Sequence, residues 1–174
     1  AKKFNNDFNT NLFPIPEPLI LGEGKRVMSL RDGSKKMSKS DISDFSRIML
    51  NDTPENIIEK IKKAKTDAYP IPSNYKEAEK RHEALNLLSI FAAFDDKPLS
   101  NIIDTYGGKE FSSFKKELSE LIVEKIRPIQ KEIDKLNKDN QYLDSIILDG
   151  KNRAIQEADS VLKQVYELIG LKKP

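Results

Sequence analysis

The chain contains no cysteine, so neither a disulfide frame nor a thiolate metal site can form, and a single histidine, His82, excludes a cage of several imidazoles. No apolar run approaches the roughly 20 residues needed to cross a bilayer. The opening Ala1 Lys2 Lys3 Phe4 Asn5 Asn6 also lacks the apolar stretch of a signal peptide. Charge of one sign is equally scarce: 30 basic side chains nearly cancel 28 acidic ones, leaving a formal +2. Any contact with nucleic acid must then rest on local patches rather than on an overall field. These absences lead us to expect a soluble, cytoplasmic protein with no membrane partner. Because the chain opens on Ala1, in what reads as the end of a helix, we also expect a piece of a longer protein.

What is present is helical. Apolar residues amount to 37% of the chain, below the usual figure of about 45–50%, but they fall in periodic runs. Pro14, Pro16 and Pro18 keep Leu12 to Leu19 extended. Arg26 to Leu30 reads as a strand or strand-like edge, Arg31 Asp32 Gly33 Ser34 as a turn, and Lys35 to Asp41 as a loop. Thr53 Pro54 Glu55 starts a helix, with threonine as cap, proline at the first turn and an acid near the positive end of the dipole. This helix should run to about Lys65, burying Ile57, Ile58, Ile61 and Ala64 and turning Glu59, Lys60, Lys62 and Lys63 to water.

Tyr69 Pro70 Ile71 Pro72 is a second extended connector. A nearly buried helix follows over Ala84 to Phe94, then a short one over Ser100 to Tyr106 that Gly107 and Gly108 end. Helical periodicity continues from Phe111 to Leu136, where Pro128 predicts a kink or break. After a turn at Asn137 to Asn140, Gly150 is read as a further stop, and Gly170 closes the last helix.

Chemistry concentrates in Lys36 Met37 Ser38 Lys39 Ser40. Two ammonium groups, two hydroxyls and the loop amides, beside a turn containing Gly33, suit a polyphosphate. On these residues alone, a solvated lysine-rich loop accounts for the pattern equally well. Asp41, Asp44 and Asp52 read as caps and turn residues, and no carboxylate cluster with metal-ligand spacing is evident. His82 has no nucleophile or second base beside it, so it reads as a partly exposed structural residue.

The run Arg26 Val27 Met28 Ser29 Leu30 Arg31 Asp32 Gly33 Ser34 Lys35 Lys36 Met37 Ser38 Lys39 Ser40 Asp41 resembles the signature region of the bacterial-type tryptophanyl-tRNA synthetases. The likeness continues in family order through Phe4 Asn5, Leu12 Phe13 Pro14 Ile15 Pro16, Asp52 Thr53 Pro54 and Lys65 Thr66 Asp67. It extends through Glu83 Ala84 Leu85 Asn86 Leu87 Leu88 and Arg127 Pro128 Ile129 Gln130 to the segment from Asp149 to Leu171. The family commonly has proline after the residue matching Asp41, where Ile42 stands here, and often proline in place of Gly33, which implies altered loop stiffness. Tyrosyl-tRNA synthetases share the loop but fit the later pattern less well.

The resemblance implies a mainly α fold: an extended segment and signature loop from the end of a nucleotide-binding α/β domain, residues 1–52, then a helical bundle of the anticodon-binding type, residues 53–174. It implies an enzyme that activates L-tryptophan with ATP and charges tRNA(Trp). Lys36 and Lys39 would be catalytic, and Val27, Met37, Ser38 and Ser40 would join them in binding ATP. Mg2+ would arrive with ATP rather than in a protein cage. It further implies a homodimer at full length and inactivity of this chain alone. Lys115, Lys116, Lys125, Arg127, Lys131, Lys135, Lys138, Lys151 and Arg153 are candidates for tRNA phosphate contacts. The competing reading, from a different functional class, is a non-catalytic helical RNA-binding module.

Overall fold

Thr53 begins the first long-range helical packing as the sequence requires: its Oγ1 accepts the amide of Asn56 at 3.3 Å, satisfying one of the helix's orphan donors. The computed structural model describes residues 1–20 and 22–172. In chain order its helices are α1 (Lys2–Asp7), α2 (Pro54–Lys62), α3 (Tyr75–Glu79), α4 (His82–Asp95), α5 (Leu99–Tyr106), α6 (Phe111–Leu136) and α7 (Asn140–Ile169). Short 3-10 turns occupy Glu23–Lys25 and Asp44–Ser46. Among the described residues there is no strand, so the fold is all helical. The expected strand at Arg26 to Leu30 reduces to one isolated antiparallel bridge between Met28 and Lys36.

The chain divides into two compact units, Ile20–Glu132 on the one hand and Ala1–Leu19 with Ile133–Pro174 on the other. In the first, Leu30, Ile57, Ile61, Leu87, Leu88, Phe91, Phe114, Leu118 and Ile122 form one continuous core. Phe91, Tyr106 and Phe114 meet there with ring centroids 5.0–5.4 Å apart, within the range of favourable aromatic contact. The Asn74 side chain accepts the Glu77 amide, and the Glu77 carboxylate accepts the Ser73 amide. This reciprocal cap starts α3 shortly after the expected connector Tyr69 Pro70 Ile71 Pro72.

Four other expectations are corrected. Helix α2 stops at Lys62 instead of Lys65, because the Lys65 amide leaves the helix to donate to the Leu30 carbonyl at 2.7 Å. Its inward face differs as well: Ile58 is exposed while Lys60, expected in water, is buried against carboxylates. Helix α6 continues through Pro128, so of the kink or break expected there the break does not occur, since a proline deletes one intrahelical hydrogen bond and the following turns re-form. Helix α7 runs for 30 residues straight over Gly150, whose helical penalty of about 1 kcal/mol is too small to stop it.

In the second unit, Asn5 holds Phe13 by its backbone. The carboxamide donates to the Phe13 carbonyl at 2.7 Å and accepts its amide at 3.1 Å, while the rings of Phe4, Phe8 and Phe13 cluster beside it. This closes α1 onto the extended segment that the prolines enforce. Helix α7 has no fully buried residue, and no helix of the described residues is long and apolar enough to cross a membrane.

Candidate functional site

The Lys36–Ser40 loop is fastened on both sides by backbone hydrogen bonds. Ser29 donates its amide to the Lys35 carbonyl at 2.8 Å and Met37 donates to Val27 at 3.1 Å, so the two arms flank the Met28–Lys36 bridge. The intervening turn is closed by Asp32, whose carboxylate accepts the amide of Ser34 at 3.1 Å and its hydroxyl at 2.6 Å. These bonds, with a contribution from Lys35, hold the Asp32 carboxyl down at about 2. It is therefore charged at neutral pH and pairs with the Lys35 ammonium at 3.3 Å.

That pairing separates the loop's cations. Lys36 and Lys39 are exposed and, among the described residues, their ammonium groups make no hydrogen bond or ion pair. Ser38 and Ser40 face each other with hydroxyls 3.0 Å apart, and the Ser38 hydroxyl also accepts the Ser40 amide at 3.3 Å. Val27 and Met37 are half-buried, and their side chains pack against the core. Met37 is thus the anchor of the loop.

Behind the loop, Asp41 accepts the Ser43 amide at 2.8 Å, the turn role expected for it. The Arg47 guanidinium reaches back to the carbonyls of Asp41 and Ser43 at 3.0 and 3.2 Å. The Leu30 amide then donates to the Ser46 carbonyl at 2.9 Å, which seats the segment on the core. Gly33 lies directly on the start of α4: a Cβ built there would fall 2.6 Å from the Glu83 nitrogen and the His82 carbonyl carbon. Its role is close approach, beyond the loop stiffness expected from the sequence. The Glu83 carboxyl is held below its ordinary value chiefly by Lys65, 2.9 Å away, with a smaller contribution from the Gly33 amide. His82 is exposed at the first position of α4.

Three supporting groups escaped the sequence reading. Asn86, the polar residue in the middle of the buried stripe of α4, accepts the Met28 amide at 2.9 Å and donates to the Met28 carbonyl at 2.8 Å. Lys60 is bound by both oxygens of Asp52 and by Asp44. The Gln130 carboxamide donates to the carbonyls of Leu50 and Asp52, tying α6 to the same segment. For Asn86 and Lys60 the only available signal was a polar residue at a position whose helical spacing is apolar.

Of the cations proposed for nucleic-acid contact, Lys115 is reassigned. Its ammonium donates to the Ala64 carbonyl at 2.7 Å and to the Thr66 hydroxyl at 3.1 Å, where burial pushes its pKa down. It completes the C-terminal end of α2 instead of facing solvent. Lys116, Lys125, Arg127, Lys131, Lys135, Lys138, Lys151 and Arg153 are exposed, with Arg153 paired to Asp149 at 3.1 Å. Among the described residues no group of three or more His, Asp or Glu side chains is placed to hold a metal ion.

The sequence profile of the family described as tRNA synthetases class I (W and Y) matches residues 1–127. Proteins named tryptophan–tRNA ligase from Caulobacter vibrioides and Mesorhizobium japonicum are 48% and 43% identical over 98% of this chain. The chain spans about half the length of these curated relatives, 50% and 54% respectively. Among solved structures, tryptophanyl-tRNA synthetase from Mycoplasma pneumoniae superposes with a TM-score of 0.80 at 23% identity, covering 98% of this chain and 51% of that one. The Campylobacter jejuni enzyme complexed with ADP and tryptophan gives 0.64 at 24% identity, over 98% and 51%. At such identities the two structures speak to the fold alone.

Proposed function

The chain belongs to the class I tRNA synthetases (W and Y), and from that premise we propose that it is the carboxy-terminal, loop-bearing part of a tryptophan–tRNA ligase. The full enzyme activates L-tryptophan with ATP to tryptophanyl-adenylate and pyrophosphate, then passes the aminoacyl group to tRNA(Trp) in the cytoplasm. The observation that carries this reading is the division among the loop lysines: Lys35 is held by Asp32, whereas Lys36 and Lys39 stand exposed on a loop secured at both ends. The choice of tryptophan over tyrosine is supported by the names of the relatives.

Adenylate formation is an in-line attack of the substrate carboxylate on the α-phosphorus of ATP, and negative charge moves onto the departing pyrophosphate. Lys36 and Lys39 engage that leaving group, so their attraction strengthens as charge develops, which is the condition for lowering the barrier. The Ser38 and Ser40 hydroxyls and the loop amides hold the phosphates, Met37 anchors the loop, and the Val27 backbone meets the adenine. The ammonium and hydroxyl donors here fit an anion, and Mg2+ enters as the partner of the triphosphate.

The tryptophan pocket and the rest of the ATP site belong to the other half of the enzyme, so this chain alone forms no adenylate. Residues 1–52 close the nucleotide-binding domain, and residues 53–174 are the helical part that meets the tRNA anticodon region, using exposed cations such as Lys116, Lys125, Arg127 and Lys131. The full enzyme works as a homodimer. In the full-length synthetase, Lys39→Ala lowers ATP–pyrophosphate exchange by about 10²- to 10³-fold, the scale for losing one preorganised donor. Exchange at near the unmodified rate would overturn the assignment.

A further inference from the structure

We propose that Asn86 is a positioning residue for the signature loop, its carboxamide making the pair of backbone hydrogen bonds by which a neighbouring strand would hold Met28 in place. The inference rests on the functional reading above and concerns a residue that reading leaves out.

The geometry is specific. The Met28 segment has the loop on one side, through the bridge to Lys36 and the bonds Ser29 to Lys35 and Met37 to Val27. Among the described residues no strand pairs with its other edge. There Asn86 accepts the Met28 amide at 2.9 Å, donates to the Met28 carbonyl at 2.8 Å and approaches the Ser29 carbonyl at 3.4 Å. One carboxamide thus reproduces both hydrogen bonds a paired strand residue would exchange.

Asn86 is only 5% exposed. It sits on α4 beside the buried Ala84, Leu87 and Leu88, so its own position is fixed by a helix packed into the core. An isolated bridge has little cooperativity of its own, and side-chain support from a rigid helix is what keeps such a constellation in register. Lys36 is the direct partner of the residue Asn86 grips, so loss of that grip releases the backbone that carries the lysine.

The test compares Asn86→Asp with Lys39→Ala in the full-length synthetase. The aspartate keeps an acceptor for the Met28 amide but places a carboxylate against two carbonyl oxygens in place of a donor. Since displacements of about 1 Å can cost up to about 100-fold, kcat/KM for ATP in pyrophosphate exchange should fall by at least about 10-fold. The KM for tryptophan should stay within about twofold, because that pocket is not held by this contact. A general loss of structure would move both constants.

In the 174-residue chain, amide exchange at Ser29 and Met37 should accelerate while the core amides of α4 and α6 stay protected. Asn86→Ser, which retains one donor, covers the case in which the carboxylate prevents folding, and it must show the same division between ATP and tryptophan. If Lys39→Ala is impaired while both Asn86 variants keep normal kcat/KM for ATP, the positioning role is wrong and the enzyme assignment stands. If Lys39→Ala is itself unimpaired, the functional reading fails and this inference fails with it.

Discussion

The Lys60 ammonium lies 2.7 and 2.8 Å from the two carboxylate oxygens of Asp52, and both side chains are less than a tenth exposed. Asp52 also accepts the Met49 amide at 2.8 Å, and Asp44 reaches the same ammonium at 2.7 Å. The chain that follows the signature loop is therefore pinned to α2 by charge. Burial works against the Lys60 charge, but its hydrogen bonds to Asp44 and Asp52 outweigh that and leave its pKa raised.

Removing one partner strands the other. Lys60→Met should destabilise the chain by about 3–5 kcal/mol, because the Asp52 carboxylate remains buried without its counter-ion. Adding Asp52→Leu should recover much of that loss. Urea unfolding of the single and double variants checks both values, and a single variant as stable as the parent would mean that solvent replaces the ammonium.

Gly33→Ala should cost about 1–3 kcal/mol, the range for forcing an extra carbon into a packed contact. The atoms it meets are backbone atoms of His82 and Glu83, which cannot swing aside. The expected signature is a lower Tm together with faster exchange at the Ser29 and Met37 amides.

At Gly150 the same substitution should act in the opposite direction. The glycine is inside α7 and nothing lies within 4 Å of an added Cβ. Gly150→Ala should stabilise by about 0.4–1 kcal/mol by restricting the unfolded chain. Circular dichroism at 222 nm during thermal unfolding reads the change, and a lower midpoint would show that the helix needs the glycine.

Stability should fall on the acid side. The Asp67 carboxyl is held below its ordinary value by the Arg81 side chain, whose Nε lies 2.7 Å away, and Glu83 is held down by Lys65. A lowered folded pKa contributes stability above the unfolded value near 4 that is lost as pH falls through the folded one. The Tm should accordingly hold steady near neutrality and drop below about pH 4, with a shallower drop in Arg81→Ala. Tyr106, buried and bonded to Glu117 at 2.6 Å, has its pKa pushed up. Its contribution is complete below the unfolded value near 10 and disappears at higher pH.

Periodicity made α2, α4, α5 and α6 legible because each buries an apolar stripe, and Pro14 to Pro18 made the extended segment equally plain. It failed where a polar residue occupies a stripe for a tertiary reason. Lys60 was read toward water because its carboxylates, Asp44 and Asp52, lie outside the helix, and Lys115 was read as a free cation because the carbonyl it caps is 51 positions away. Pro128 and Gly150 misled differently. Each carries a real local penalty, but the neighbouring turns outvote it. Within the candidate site, residue types identified the loop, whereas the division between paired Lys35 and unpaired Lys36 and Lys39 depends on where Asp32 points.

That division has an electrolyte consequence. The buried pair of Lys60 and Asp52 excludes counter-ions, so dissolved ions barely touch it, but Lys36 and Lys39 stand in bulk solution, where a Debye length of about 8 Å at physiological ionic strength screens them strongly. A polyanion meeting the loop should feel its pull fall steeply as ionic strength rises, while the scaffold beneath keeps its shape.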